Sequence, residues 1–184
     1  IPFLGSVDLG FFYYILAAVF IVGMVNAVNF TDGIDGLNTS VTLVVALVFS
    51  VIAMLLNRVG LSLYAAAIVG AMIGFLFWNA NPAKVFMGDT GSLFLGGAVC
   101  ALAFGVDMPI LLILIGVIYI VEILSVVLQV TYFKISHGKR IFKMAPIHHH
   151  FEMCGWNENK ICFVFSGVTL LAGIIGVLLA VFGC

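Results

Sequence analysis

Apolar stretches of membrane-crossing length follow one another along almost the whole chain, and nothing else in the sequence constrains the fold as much. A hydrocarbon core about 30 Å thick needs roughly 20 apolar residues in a helix. Six stretches meet or approach that length: Leu9–Phe30, Thr39–Leu56, Leu61–Asn79, Ser92–Val106, Met108–Phe133 and Ile161–Phe182. A water-soluble domain carries about a quarter charged residues, whereas here only 8% of 184 residues are charged and 64% are hydrophobic. Most of the outer surface must therefore face lipid. The predicted fold is an all-α, polytopic transmembrane bundle of six spans in one domain covering residues 1–184.

The few charges are unevenly placed. Alternating spans put segments 30–38, 79–91 and 134–160 on one side of the bilayer. That side holds Lys84, Lys134, Lys139, Arg140, Lys143 and Lys160, against Arg58 alone on the other. Basic residues concentrate in cytoplasmic loops, so this side is expected to be cytoplasmic. It also holds Asp32, Asp35, Asp89, Glu152, Glu158 and all four histidines, while the opposite side keeps Asp8 and Asp107. No basic run carries interleaved aromatics, so nucleic acid is not an expected partner. The four cysteines form no C-x-x-C pair and read as free thiols. Glu122 falls inside the fifth span, where an ionisable group is costly unless paired or wetted. It is either a structural partner for a neighbouring helix or part of the site. The start at Ile1, with no Met or basic n-region, reads as the interior of a longer product without a signal peptide.

Three polar clusters lie on the charged side. The first, NAVNFTDGIDGLN, ends span one. Asn26 and Asn29 fall on one helix face, and Gly33 and Gly36 break the helix and let backbone approach a ligand. Asp32 and Asp35 beside amides suit a cation, sugar or base; Asn38 reads as a cap for the next helix. In the second, NPAKVFMGDTGS, Asp89 precedes span four with hydroxyls and glycines around it, a setting for Mg²⁺ with phosphate or for a plain N-cap. Phe86 is either an interface anchor or a stacking surface. The third is APIHHHFE, within the long basic loop. Adjacent histidines on a helix diverge, which disfavours a zinc site built from His148, His149 and His150 alone; phosphate or substrate contact suits them better. The neighbouring stretch from Lys134 to Lys143 reads as a topology anchor.

Together, NAVNFTDGIDGLN, NPAKVFMGDTGS and APIHHHFE followed by GWNENK resemble the phospho-N-acetylmuramoyl-pentapeptide transferase family. That family belongs to the polyprenyl-phosphate N-acetylhexosamine-1-phosphate transferases. The first two stretches recur across the superfamily, and the triple histidine points to the muramoyl-pentapeptide branch. The resemblance implies transfer of phospho-N-acetylmuramoyl-pentapeptide from UDP-MurNAc-pentapeptide to undecaprenyl phosphate, giving lipid I and UMP, with Mg²⁺ as cofactor. It also implies a multi-pass protein of a bacterial plasma membrane, with a cytoplasmic-face site and a homodimeric state. Carried over, Asp89 is the Mg²⁺ ligand and Asp32 a further catalytic carboxylate. Asn26, Asn29, Asp32, Gly33, Ile34 and Asp35 serve substrate, Phe86 stacks on uracil, and Gln129 contacts the nucleoside. His148, His149 and His150 serve the diphosphate region. The family has about ten membrane-crossing helices and a paired-aspartate motif in its first half. This chain matches the later spans and lacks that pair, so alone it is expected to be inactive. Direct attack by the lipid phosphate is favoured over a covalent aspartyl intermediate. A sister GlcNAc-1-phosphate transferase and, from another class, a membrane transporter are the rival readings.

Overall fold

A computed structural model describes residues 10–182, all of its regular structure helical. Phe12–Thr31 (α1), Leu37–Leu55 (α2), Val59–Asn79 (α3) and Gly88–Gly105 (α4) are followed by a short helix, Leu111–Ile115 (α5). Val117–Ile135 (α6), the one-and-a-half-turn Ile147–Glu152 (α7) and Glu158–Phe182 (α8) complete the order. Six of these are long and apolar enough to cross a membrane: α1, α2, α3, α4, α6 and α8. The chain is thus a multi-pass, all-helical membrane protein. Leu9, Asp8 and Cys184 lie outside the described residues.

The helix sequences explain the packing. α2 is the hub, with 61% of its span buried against 17% for α3; it packs on α3 and α8, while α1 packs on α4 and α6. Apolar attraction between helices is weak in lipid, so small residues and buried polar contacts bring them together. A Cβ at Gly96 would stand 2.7 Å from the Val25 Cα, so α4 lies directly on the α1 backbone. Gly173 and Gly176 likewise admit Val48 and Ile115, whereas Gly70, Gly74 and Gly97 meet nothing among the described residues. The buried Thr39 hydroxyl donates to Asn79 on α3. Thr42 donates to Asn38 at 3.1 Å and shares a 2.7 Å bond with Tyr119 on α6.

Three of the long helices close in one way. Arg58 N–H bonds Ala53 O at 2.8 Å, Met108 N–H bonds Ala103 O at 3.1 Å, and Gly138 N–H bonds Phe133 O at 2.9 Å. The residue before each donor is left-handed: Asn57, Asp107 and His137. These six-to-one closures satisfy carbonyls that the helix leaves orphaned. Arg58 pairs with Asp107 at 2.6 Å, tying the two turns at the less charged end.

The sequence-based boundaries need three corrections. The fifth span is not one helix over Met108–Phe133: Gly116 interrupts it, with its N–H on Leu112 O, and any Cβ there would press against that carbonyl and Tyr119. The fourth span starts a turn before Ser92, because Gly88 takes φ +64° and admits the helix there. Asp89 therefore lies inside the first turn rather than ahead of it, and it is not the cap. Asn38 is not a cap either. The left-handed Gly36 occupies that position, and Asn38 is fully buried as the second residue of α2, its amide against the Met87 sulfur at 3.4 Å.

Candidate active site

The charged end of the bundle gathers the end of α1, the α1–α2 turn, the α3–α4 connection and the start of α4 around one cavity of about 270 Å³. Asn29, Asp32, Asp35, Phe86 and Asp89 line it, with Gly33, Ile34, Asn79, Met87 and Gly88. Two motifs well separated in sequence, residues 26–38 and 81–92, thus form one site.

Each polar side chain is fixed by a local cause. α1 ends at Thr31, and Asp32 stands at its C-cap with its N–H on Asn29 O at 3.1 Å. Asn29 reaches from the last turn of α1 to α4, its amide donating to Asp89 Oδ1 at 3.0 Å and Ser92 Oγ at 2.8 Å. Ser92 is buried and donates in turn to Gly88 O at 3.0 Å. Asp89, in the first turn of α4, lies where the helix dipole favours negative charge. Asp35 is tied down: its carboxylate accepts from Ala83 N–H at 2.8 Å and Asn81 at 3.3 Å, and its own N–H donates to Glu158 Oε2 at 2.9 Å. Burial raises the Asp32 carboxyl above the usual carboxylate range, the nearby Asp89 charge adds to this, and the Gly88 N–H offsets part of it. Asp32 and Asp89 facing one cavity, the former resisting ionisation, form a site that a divalent cation would relieve. Among the described residues no three His, Cys, Asp or Glu could cage a metal. Mg²⁺ held jointly with substrate phosphates needs only one or two carboxylates, and Asp32 with Asp89 meets that need.

The histidines take separate partners, although the His148 and His149 rings pack at 4.1 Å between centroids. His148 is fully buried, its Nδ1 3.0 Å from Glu122 Oε2 on α6. His149 pairs with Glu152 one turn on in α7. His150 Nδ1 accepts from Lys143 N–H at 3.1 Å. None of the three is among the cavity-lining residues, although His148 stands directly behind one of them: a Cβ at Gly33 would overlap its ring at Nε2. Asn26 also lies off the cavity, exposed, its amide returned to Val22 O at 2.8 Å. Gln129 is likewise not a lining residue. Its carbonyl accepts from Ile141 and Phe142 N–H at 3.0 Å each, and its amide donates to Phe142 O at 3.0 Å, pinning the basic loop to α6. Phe86 is 73% exposed at the cavity mouth. It also lines an apolar groove of about 400 Å³ between α3 and α4. Glu158, which sequence reasoning did not single out, positions the Asp35 turn; its only signal was its place in GWNENK.

Fold and site together define a polytopic membrane protein that presents a carboxylate-lined, aromatic-lipped cavity at one end of an apolar bundle. The chain belongs to glycosyl transferase family 4, whose profile it matches over residues 1–107. It is 55% identical over 172 residues to the phospho-N-acetylmuramoyl-pentapeptide-transferase of Clostridium perfringens (strain SM101), covering 93% of this chain and 53% of the relative. It is 52% identical over 177 residues to the protein so named in Clostridium botulinum (strain Eklund 17B), covering 96% and 54%. The one in Listeria monocytogenes (strain CLIP80459) is 49% identical over 183 residues, covering 99% and 56%. The chain thus spans about half the length of the curated relatives it matches.

Proposed function

We propose that this chain forms part of an Mg²⁺-dependent transferase that moves phospho-N-acetylmuramoyl-pentapeptide from its UDP carrier to undecaprenyl phosphate. The products are lipid I and UMP, and the site faces the cytoplasm of a bacterial plasma membrane. The carrying observation is the convergence of Asp32 and Asp89 on one cavity at the polar end of the spans. There a water-soluble nucleotide and a lipid-borne phosphate can meet. In the reaction an oxygen of the lipid phosphate attacks the sugar-side phosphorus. A new P–O bond forms, the bridging P–O bond breaks, and UMP leaves.

This chain's residues have distinct parts in that reaction. Asp32 and Asp89 would hold Mg²⁺, which would neutralise diphosphate charge and stabilise the departing uridylate. Asn29 fixes the Asp89 carboxylate by donating to Oδ1, leaving its other oxygen for the cation. Asp35, already bonded to the 81–83 segment, keeps the turn carrying Gly33 and Ile34 in register so that their backbone faces the nucleotide. Phe86 offers its exposed ring to uracil at the mouth.

The test is a donor-selectivity assay on the intact protein in detergent. UMP is expected from UDP-MurNAc-pentapeptide only with polyprenyl phosphate and Mg²⁺ present, and not from UDP-N-acetylglucosamine. Asp89→Asn should abolish turnover. UMP release from UDP-N-acetylglucosamine instead would move the chain to the sister transferases, and full activity of Asp89→Asn would remove the metal assignment.

A further inference from the structure

Glu122 lies one turn into α6, in a helix otherwise apolar around it, with no exposed surface. Its one described side-chain partner is His148, 3.0 Å from Oε2 to Nδ1, and the imidazole is equally enclosed. Two further atoms of this pair have no hydrogen-bond partner among the described residues: Glu122 Oε1 and His148 Nε2. Buried polar atoms are nearly always satisfied, so each exception calls for an explanation.

The pair's proton count fixes what Nε2 is. A net charge enclosed in an apolar interior is heavily penalised, which favours the states with none; of these, the one with the acid hydrogen on Oε1 and Nε2 bare buries an O–H donor that has no acceptor, which leaves two. In one, the carboxylate is ionised and the imidazole doubly protonated, with Nδ1–H donating to Oε2. In the other, the carboxylic acid donates to a bare Nδ1. Nε2 carries a hydrogen in both. The pair therefore holds an N–H donor at Nε2, and this atom abuts Gly33, which is exposed to the cavity on its other side. Only a residue without a side chain can stand between imidazole and cavity, so the Gly33 backbone is the whole of the partition.

We infer that Glu122 is a positioning residue: it orients His148 and keeps Nε2 protonated, so that the N–H dipole behind the Gly33 wall acts electrostatically on an anionic oxygen of the substrate bound on the wall's other side. This rests on the transferase reading above. It extends that reading by placing a carboxylate within the membrane span in the machinery, acting through His148 rather than on substrate. A carboxylate on the far nitrogen of a functional imidazole sets its tautomer and orientation, and loss of such a partner costs about ten- to hundredfold.

Two measurements separate the inference from the reading beneath it. In nitrogen-15 NMR of the histidine-labelled resting protein, His148 Nε2 is expected to carry a directly bonded hydrogen; a bare Nε2 overturns the inference whatever the enzyme does. In proteoliposomes, Glu122→Leu is expected to lower the melting temperature, since it leaves the buried imidazole without its partner, so turnover is read per folded molecule. Its kcat should fall about ten- to hundredfold, by more than KM rises. Glu122→Gln, whose amide can donate to Nδ1 and keep Nε2–H, should recover much of that loss. Glu122→Leu should cost little more in a His148→Gln background. Loss of thermal stability with unchanged kcat per folded molecule, or losses that multiply in the double variant, would assign Glu122 to scaffolding alone. If the wild-type protein shows the Nε2 hydrogen yet releases no UMP from any donor, the reaction reading falls and the pairing stands.

Discussion

Asp32 is a cavity carboxylate whose ionisation works against the fold. Its carboxyl is raised above the unfolded value of 3.8, by burial first and by Asp89 second. The sign follows from linkage: between the two values the folded state binds more protons than the unfolded one, so stability falls as pH rises through that window. Below the unfolded value both states are protonated and the penalty is gone. Asp32→Asn should therefore flatten the fall in melting temperature between mildly acidic and neutral pH, and melt higher than wild type at neutral pH. A variant as pH-dependent as wild type would refute the assignment. Phe86 gives a second case at this scale. Its ring is exposed and holds nothing up, so Phe86→Ala should raise the nucleotide KM several-fold, within the about 1–3 kcal/mol of a base–aromatic stack, and leave kcat nearly unchanged. A loss confined to kcat would end the stacking assignment. Asp32, Asp89 and Phe86 were legible in the sequence because they sit in short polar motifs between apolar runs. The partners of Glu122 and Glu158 were not, because a carboxylate's partner across twenty-six or more residues is set by how helices pack, not by spacing along the chain.

Helix α4 shows how an element carries the site. Gly96 touches the Val25 backbone, and one turn toward the polar end from each lie Ser92 and Asn29, which bond directly. The closeness of two backbones thus becomes the position of a carboxylate. Gly96→Leu would force α1 and α4 apart, an overpacking cost of about 1–3 kcal/mol, and would lengthen the Asn29–Asp89 and Asn29–Ser92 contacts. A lower melting temperature in detergent is expected, together with weakened Mg²⁺ dependence of turnover. Gly97→Ala, at a position facing open space, should match wild type. Equal stability of both variants would mean that the helix contact is not tight. Sequence reading placed the spans but misjudged where α4 begins and missed the break at Gly116. Hydropathy averages over a window, whereas a helix boundary turns on one glycine's φ and one carbonyl's partner. The apolar run through Met108–Phe133 carries no polar residue at the break to betray it.

At the scale of the whole molecule, the asymmetry of charge and the asymmetry of chemistry coincide. One end closes two turns with the Arg58–Asp107 pair and little else polar; the other end gathers the cavity, the histidine helix and the basic loop. Six basic residues on that end against one on the other are the bias by which, in the proposed function, it would face the cytoplasm. Under the proposed function, that orientation would bring a UDP-linked donor from the cytosol to a phosphate held at the lipid interface. A native probe already marks the polar end: Cys154 is exposed, whereas Cys100 is buried and Cys162 half-buried. With Cys184 replaced by Ser, a membrane-impermeant maleimide added to intact cells should leave Cys154 unlabelled, and label it once the membrane is opened. Asp107→Cys, at the opposite turn, should label in intact cells. The reverse pattern would place the carboxylate cavity outside, away from any cytosolic nucleotide, and the transferase reading could not survive it.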